Sequence, residues 1–158
     1  MVLDRIDFGI LAALQNDGRL SNKELAAEVG LAPSSCLARV RRLKDEGVLR
    51  GVHADVDPTA FGVTIQAMIA LRMKDHSRAS AQALWDHLVA LQEVIALYNV
   101  SGADDLLVHV AVRDVEQLRR LAWDDIAARP EVGHIETALI FGHYAKRALP
   151  IYRTEAAR

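Results

Sequence analysis

The chain has 158 residues, 51% of them hydrophobic and 25% charged, a composition suited to one globular domain or two small ones. No apolar run approaches the roughly 18 residues that would span a bilayer, and the opening MVLDRIDFGI carries Asp4 and Asp7 where a signal peptide needs basic residues. No membrane role and a cytoplasmic location are therefore expected. The single cysteine, Cys36, excludes an internal disulfide, and the six scattered histidines form no metal-ligand spacing. No nucleophile elbow and no phosphate-binding glycine loop is present. The formal net charge of −2 does not suggest a nucleic-acid binder, but Arg39, Arg41, Arg42, Lys44 and Arg50 cluster locally, and a local patch suffices to bind phosphate.

The first fifty residues predict three helices. Asp4 caps the first, with Ile6, Ile10, Leu11 and Leu14 at helical spacing, and Asp17-Gly18 ends it. Ser21 and Glu24 form a capping-box pattern for a short second helix that buries Leu25, Ala26 and Val29 and stops at Gly30. The third starts at Pro33, whose missing N–H costs nothing in a first turn, behind a weak cap, Ala32; Gly47 stops it. On this helix Cys36, Val40 and Leu43 make the buried stripe, while Ser34, Ala38, Arg41, Arg42 and Asp45 face away. A helix whose exposed face is small at one end and basic at the other suits a nucleic-acid groove, with Ser34 and Ser35 near base edges and arginines reaching guanine or phosphate. The valine-rich alternation from Val48 to Val56 predicts a small two-stranded wing, completing a winged helix-turn-helix over residues 1–57.

Residues 58–63, PTAFGV, are expected to be a short linker to a second domain, 64–158. There Ile65–Lys74 alternates with period two, Leu84, Leu88 and Leu91 stack on a helix, and two strands, Val94–Ser101 and Leu106–Val112, flank a turn at Gly102–Asp105. Asp114 caps a helix carrying Leu118, Leu121, Ala122 and Ile126, Arg129-Pro130 breaks it, and His134–Tyr144 reads as the last strand. The order β-α-β-β-α-β predicts a four-stranded antiparallel sheet with both helices on one face, the ferredoxin-like arrangement, so the fold class is α+β. The other face, carrying Met68 and Ala70, is too apolar for water and is expected to pack on a second subunit.

The combination of L-D-x-x-D, I-L-x-x-L-Q-x-D-G-R, E-L-A, V-G-L and C-x-x-R-V-R-R-L within the first fifty residues resembles the Lrp/AsnC (feast/famine) transcription regulators, and the resemblance runs over nearly the whole chain. It implies a helix-turn-helix motif at about residues 22–41, dimers that assemble further, to octamers, and control by small molecules, usually amino acids. The residues expected at DNA are Lys23, Ser34, Ser35, Ala38, Arg39, Arg41 and Arg42. VSGADDLLVHV resembles the family's effector loop. Backbone N–H groups near Ser101–Asp104 would hold a carboxylate, and Asp104 or Asp105 an ammonium. The effector set is Val100, Ser101, Gly102, Asp104 and Asp105, with Thr137 and Leu139 of the last strand lining the same pocket from the same or a neighbouring subunit, and with no metal and no cofactor beyond the effector. By the same alignment Ala32 replaces a capping serine and Ala138 an aromatic. Two other readings compete: a tetrapyrrole enzyme like the siroheme decarboxylases, which resemble the family in both domains, and a DNA-organising protein without an effector.

Overall fold

The computed structural model describes residues 2–146 and 148–152. They form two compact units that divide between Asp55 and Val56; the described residues from Tyr144 onward group with the first. The break thus falls just ahead of the expected linker. Residues Pro58–Phe61 are a 3₁₀ turn of the second unit, capped by Asp57 and ended by Gly62 at φ +77°.

The first unit holds α1 (Arg5–Asn16), α2 (Asn22–Glu28) and α3 (Pro33–Asp45). Asp4 caps α1 by accepting the Ile6 and Asp7 N–H groups, and the Asp7 carboxylate accepts the Asp4 N–H in return. Ser21 and Glu24 cap α2 in the same reciprocal way. Gly30 takes φ +69° and lets the chain reverse, with the Leu31 N–H returning to the Ala26 carbonyl at 2.8 Å. Ala32 makes no side-chain cap, and Pro33 opens α3 as expected. Ile10, Leu25, Ala26, Cys36 and Leu43 are the buried centre where the three helices meet.

No strand forms between α3 and Ile65, so the expected wing at 48–56 has no ladder in this chain. Its valines explain why. Val48, Val52 and Val56 are all exposed, and a lone two-stranded hairpin with no buried face is marginal in water.

The second unit holds β1 (Ile65–Met73), α4 (Arg78–Ala90), β2 (Val94–Asn99), β3 (Leu106–Val112), α5 (Val115–Arg120) and β4 (Val132–Leu139). The strands form one sheet in the order β2-β3-β1-β4 with every pairing antiparallel, the ferredoxin-like topology. Alternation decides the faces. Ala67, Ile69 and Leu71 of β1 and Val108, Val110 and Val112 of β3 are sealed under Leu84 and Leu88 of α4 and Leu118 of α5. Beyond Arg120 the helix continues with π-helical pitch over Leu121–Ala127, which still buries Leu121, Ala122 and Ile126. Two strands are shorter than expected: β2 stops at Asn99, and β4 begins at Val132 and ends at Leu139, with Phe141 beyond it almost fully exposed.

No described element covers the opposite face. Half-buried Met68, Ala70, Leu107 and Ala111 lie on it, with Ala96 and the exposed Tyr98 and Ala138 around them. The one hydrogen-bonded pair at its centre is His109 Nε2 with Gln66 Oε1, 2.9 Å apart. Burial lowers the His109 pKa below the usual imidazole value, and the charge of His143 lowers it further.

Candidate nucleic-acid interface and effector loop

Helix α3 displays Ser34, Ser35, Ala38, Arg41, Arg42 and Lys44 to solvent, and Lys23 is exposed at the start of α2. Asn22 ties the two helix starts together: its Nδ2 donates to the Pro33 carbonyl at 2.8 Å. Small side chains occupy the N-terminal turn of α3 and cations the C-terminal half, as a groove-entering helix requires.

The arginines of α3 do not all point outward. Asp7 of α1 is 1% exposed, and both of its carboxylate oxygens are engaged by α3. Arg39 Nη1 donates to Asp7 Oδ1 at 2.9 Å and to Asp4 Oδ2 at 2.7 Å; Arg42 Nη2 donates to Asp7 Oδ2 at 2.6 Å. The Asp4 carboxyl is held below the usual carboxylate range, first by the Asp7 N–H and then by Arg39. This departs from the expectation for Arg39. Arg39 is drawn in against α1 and is not a free cation at the surface, and Arg42 is exposed along its length yet tied at one nitrogen. Arg41 takes no part in the cluster and is open to solvent. The L-D-x-x-D pattern signals this cluster, but nothing in the sequence says which arginine its second aspartate would meet.

The loop between β2 and β3 is a closed turn. The Val100 N–H donates to the Asp105 carbonyl, and the Asp105 N–H to the Leu71 carbonyl. Gly102 sits at φ +133°, where a side chain is strained although no atom lies within 4 Å of a Cβ built there. Asp105, expected to hold an ammonium, is already used: Oδ2 accepts the Met73 N–H at 2.7 Å and Oδ1 faces His76 Nε2 at 2.9 Å. The Met73 N–H is the main reason its carboxyl titrates below the usual range. Asp104 stands 3.6 Å from the Arg72 guanidinium. Ser101 and Gly102 are exposed and Val100 half-buried.

Thr137 and Leu139 do not meet this loop within one chain. The loop adjoins Leu71, the partner of Leu106, whereas Thr137 pairs with Ile69 and Leu139 with Ala67. Four residues of β1 separate Leu71 from Ala67, roughly 13 Å along the strand, and β4 is an outer strand on the far side of β1 from β3. Sequence reasoning also missed a cleft of about 230 Å³, lined by Pro58, Thr64, Gln66, Ile140 and His143 among others, which contains none of the loop residues. Among the described residues no group of three or more His, Cys, Asp or Glu is arranged to hold a metal, and no helix is long and apolar enough to cross a membrane.

A winged helix-turn-helix DNA-binding model matches residues 3–50, and the Lrp/AsnC ligand binding domain matches residues 66–150. This chain belongs to the Lrp/AsnC family. It is similar to the HTH-type transcriptional regulator AldR of Mycolicibacterium smegmatis, 42% identical over 141 residues that cover 89% of this chain and 82% of that protein. AldR of Mycobacterium tuberculosis is 41% identical over 149 residues, 94% of this chain and 83% of that protein. Among solved structures, a transcriptional regulator of Neisseria meningitidis in complex with L-Met superposes with a TM-score of 0.84 at 26% identity, covering 92% of this chain and 94% of that one.

As an Lrp/AsnC protein, the chain is a DNA-binding transcriptional regulator with a ligand-binding domain, not an enzyme. The helix-turn-helix and the four-stranded antiparallel sheet are the two parts the family joins.

Proposed function

We propose that this Lrp/AsnC regulator is sequence-specific, governs amino-acid-related metabolism and responds to an amino acid bound where subunits meet, with no other cofactor. The observation that carries the reading is the loop Val100–Asp105, closed on β1, with Ser101 and Gly102 exposed at its tip and Asp104 half-buried beside Arg72. The L-Met complex of the Neisseria relative supports an amino acid as the ligand class. Thr137 and Leu139 then serve the same effector from a neighbouring subunit, because within one chain they lie away from the loop.

DNA is read by α3, through Ser34, Ser35, Ala38 and Arg41, with Arg42 and Lys23 at phosphate. Arg39 supports α3 from behind. The uncovered sheet face packs on a second copy, and two copies present two recognition helices to a two-fold site; dimers associate further, towards the octamer, in the cytoplasm. The effector acts by linkage: it shifts DNA affinity only as far as it binds one assembly better than another.

Selection of bound duplexes from a random pool, with and without the twenty amino acids, tests this. The expected result is a two-fold symmetric site whose occupancy changes with one amino acid. Indifference to every amino acid overturns the effector reading, and a pool with no enriched site overturns sequence specificity in favour of a DNA-organising role.

A further inference from the structure

Asp7 stands out among the acidic side chains because it is the one buried charged residue among those described, and it spends both oxygens on the helix that carries the DNA-facing side chains. A carboxylate that only clamps two helices together has no need of an arginine exposed at the surface. Arg39 fits that clamping role, with 28% of its side chain exposed and one nitrogen shared by Asp4 and Asp7. Arg42 does not. Its side chain is 43% exposed, and Asp7 takes only Nη2, leaving Nε and Nη1 outside the cluster. Arg42 also follows Ser34 and Ala38 at steps of four, so it ends the row of small exposed residues on α3.

We infer that Asp7 is a positioning residue for DNA recognition: it grips one edge of the Arg42 guanidinium so that the other edge is presented, already ordered, to a DNA phosphate beside α3. A free arginine loses side-chain entropy when it binds, and a pre-oriented planar fork loses less per hydrogen bond formed. Phosphate contacts set the register of a reading helix on the duplex. Asp7 therefore acts on sequence selectivity from a site that touches no DNA. The inference rests on the reading of α3 as the DNA-contacting helix.

The test is a double-mutant cycle on the full chain, Asp7→Asn and Arg42→Gln, with Arg41→Ala beside it. The probes are a duplex selected from a random pool by the unaltered protein and a scrambled duplex of equal length. Thermal melting of each variant records folding separately. Arg42→Gln is expected to weaken binding to the selected duplex roughly 3- to 30-fold and to flatten the plot of log affinity against log salt by about 0.9, one phosphate contact. Asp7→Asn is expected to lower the ratio of selected to scrambled binding by a similar factor, and to add less than about twofold once Arg42 is Gln. Arg42→Lys is expected to keep the salt slope and lose the selectivity, since a lysine is not held as a fork.

Effects of Asp7→Asn and Arg42→Gln that simply multiply overturn the inference. So does Arg42→Gln that changes neither affinity nor salt slope while Arg41→Ala weakens binding; α3 then remains the reading helix and Asp7 is only a clamp. If neither arginine variant changes binding, the reading of α3 itself fails. Should Asp7→Asn not fold, the Arg42→Gln and Arg42→Lys comparison decides alone.

Discussion

The Asp105 carboxylate accepts the Met73 N–H at 2.7 Å, so a side chain of the β2–β3 loop closes the backbone at the end of the central strand β1. This bond, the Asp105 N–H to the Leu71 carbonyl and the His76 imidazole on the second Asp105 oxygen hold the loop there, with Arg72 of β1 3.6 Å from Asp104. Asp105→Ala leaves the part-buried Met73 N–H unpaired. The expected loss of stability in the second unit is about 1–3 kcal/mol, with a smaller loss for Asp105→Asn, which keeps an acceptor. Urea unfolding read by amide exchange at Met73 and Leu106 measures it. Equal stability of wild type and Asp105→Ala would show that the bond is replaced by water at no cost.

The depressed Asp105 pKa gives this link a direction in pH. A carboxyl whose folded value lies below its unfolded one adds stability above the unfolded pKa, near pH 4, and loses it as pH falls through the folded value. Loop protection in amide exchange is therefore expected to hold from neutral pH down to about pH 4 and to drop below it. Asp105→Asn should abolish that acid step.

His109 titrates in the opposite sense. Its folded pKa is lowered by burial, so the unfolded chain binds the proton more readily. Stability is unaffected above the ordinary imidazole value near 6.5 and falls as pH drops from there to the folded pKa. His109→Gln is expected to flatten the urea midpoint of the second unit between about pH 7 and pH 5. A wild-type midpoint already flat over that range would refute the assignment.

Cys36 lies fully buried on the inner face of α3, where its thiol pKa is pushed up by burial. Cys36→Asp places a charge in the apolar cluster of Ile10, Leu25 and Leu43. The first unit should lose more than about 3 kcal/mol, enough to loosen it at room temperature. Cys36→Ala should cost far less. Circular dichroism melts of the two variants separate these outcomes.

Arg41 is the simplest test of the DNA face, being exposed and outside the Asp7 cluster. Arg41→Ala is expected to leave the melting temperature within about 2 °C while weakening duplex binding and lowering the salt slope by about 0.9. Unchanged binding would remove Arg41 from the interface.

Much of this protein was legible from local chemistry. Asp4, Ser21 and Asp114 cap helices where their spacing to the first apolar residues says they should, because a cap needs only its own three following residues. The period-two runs at Ile65–Met73 and Leu106–Val112 mark β1 and β3, because both strands bury one face against helices. The helix-turn-helix pattern and the strand-helix order are local in the same sense. Tertiary structure decided the rest. A helical wheel turns Arg41 and Arg42 alike away from the buried stripe, and only the placement of α1 brings the buried Asp7 to Arg42, as to Arg39, and not to Arg41. The valine alternation at 48–56 looks like a strand, yet a strand needs a partner and a buried face, and the described residues supply neither there. Asp105 reads as a ligand-holding acid until the sheet register sets the Met73 N–H beside it. Short-range hydrogen bonds and side-chain periodicity are written in neighbouring residues, whereas the pairing of charges distant in sequence follows from packing, which no short stretch of chain encodes.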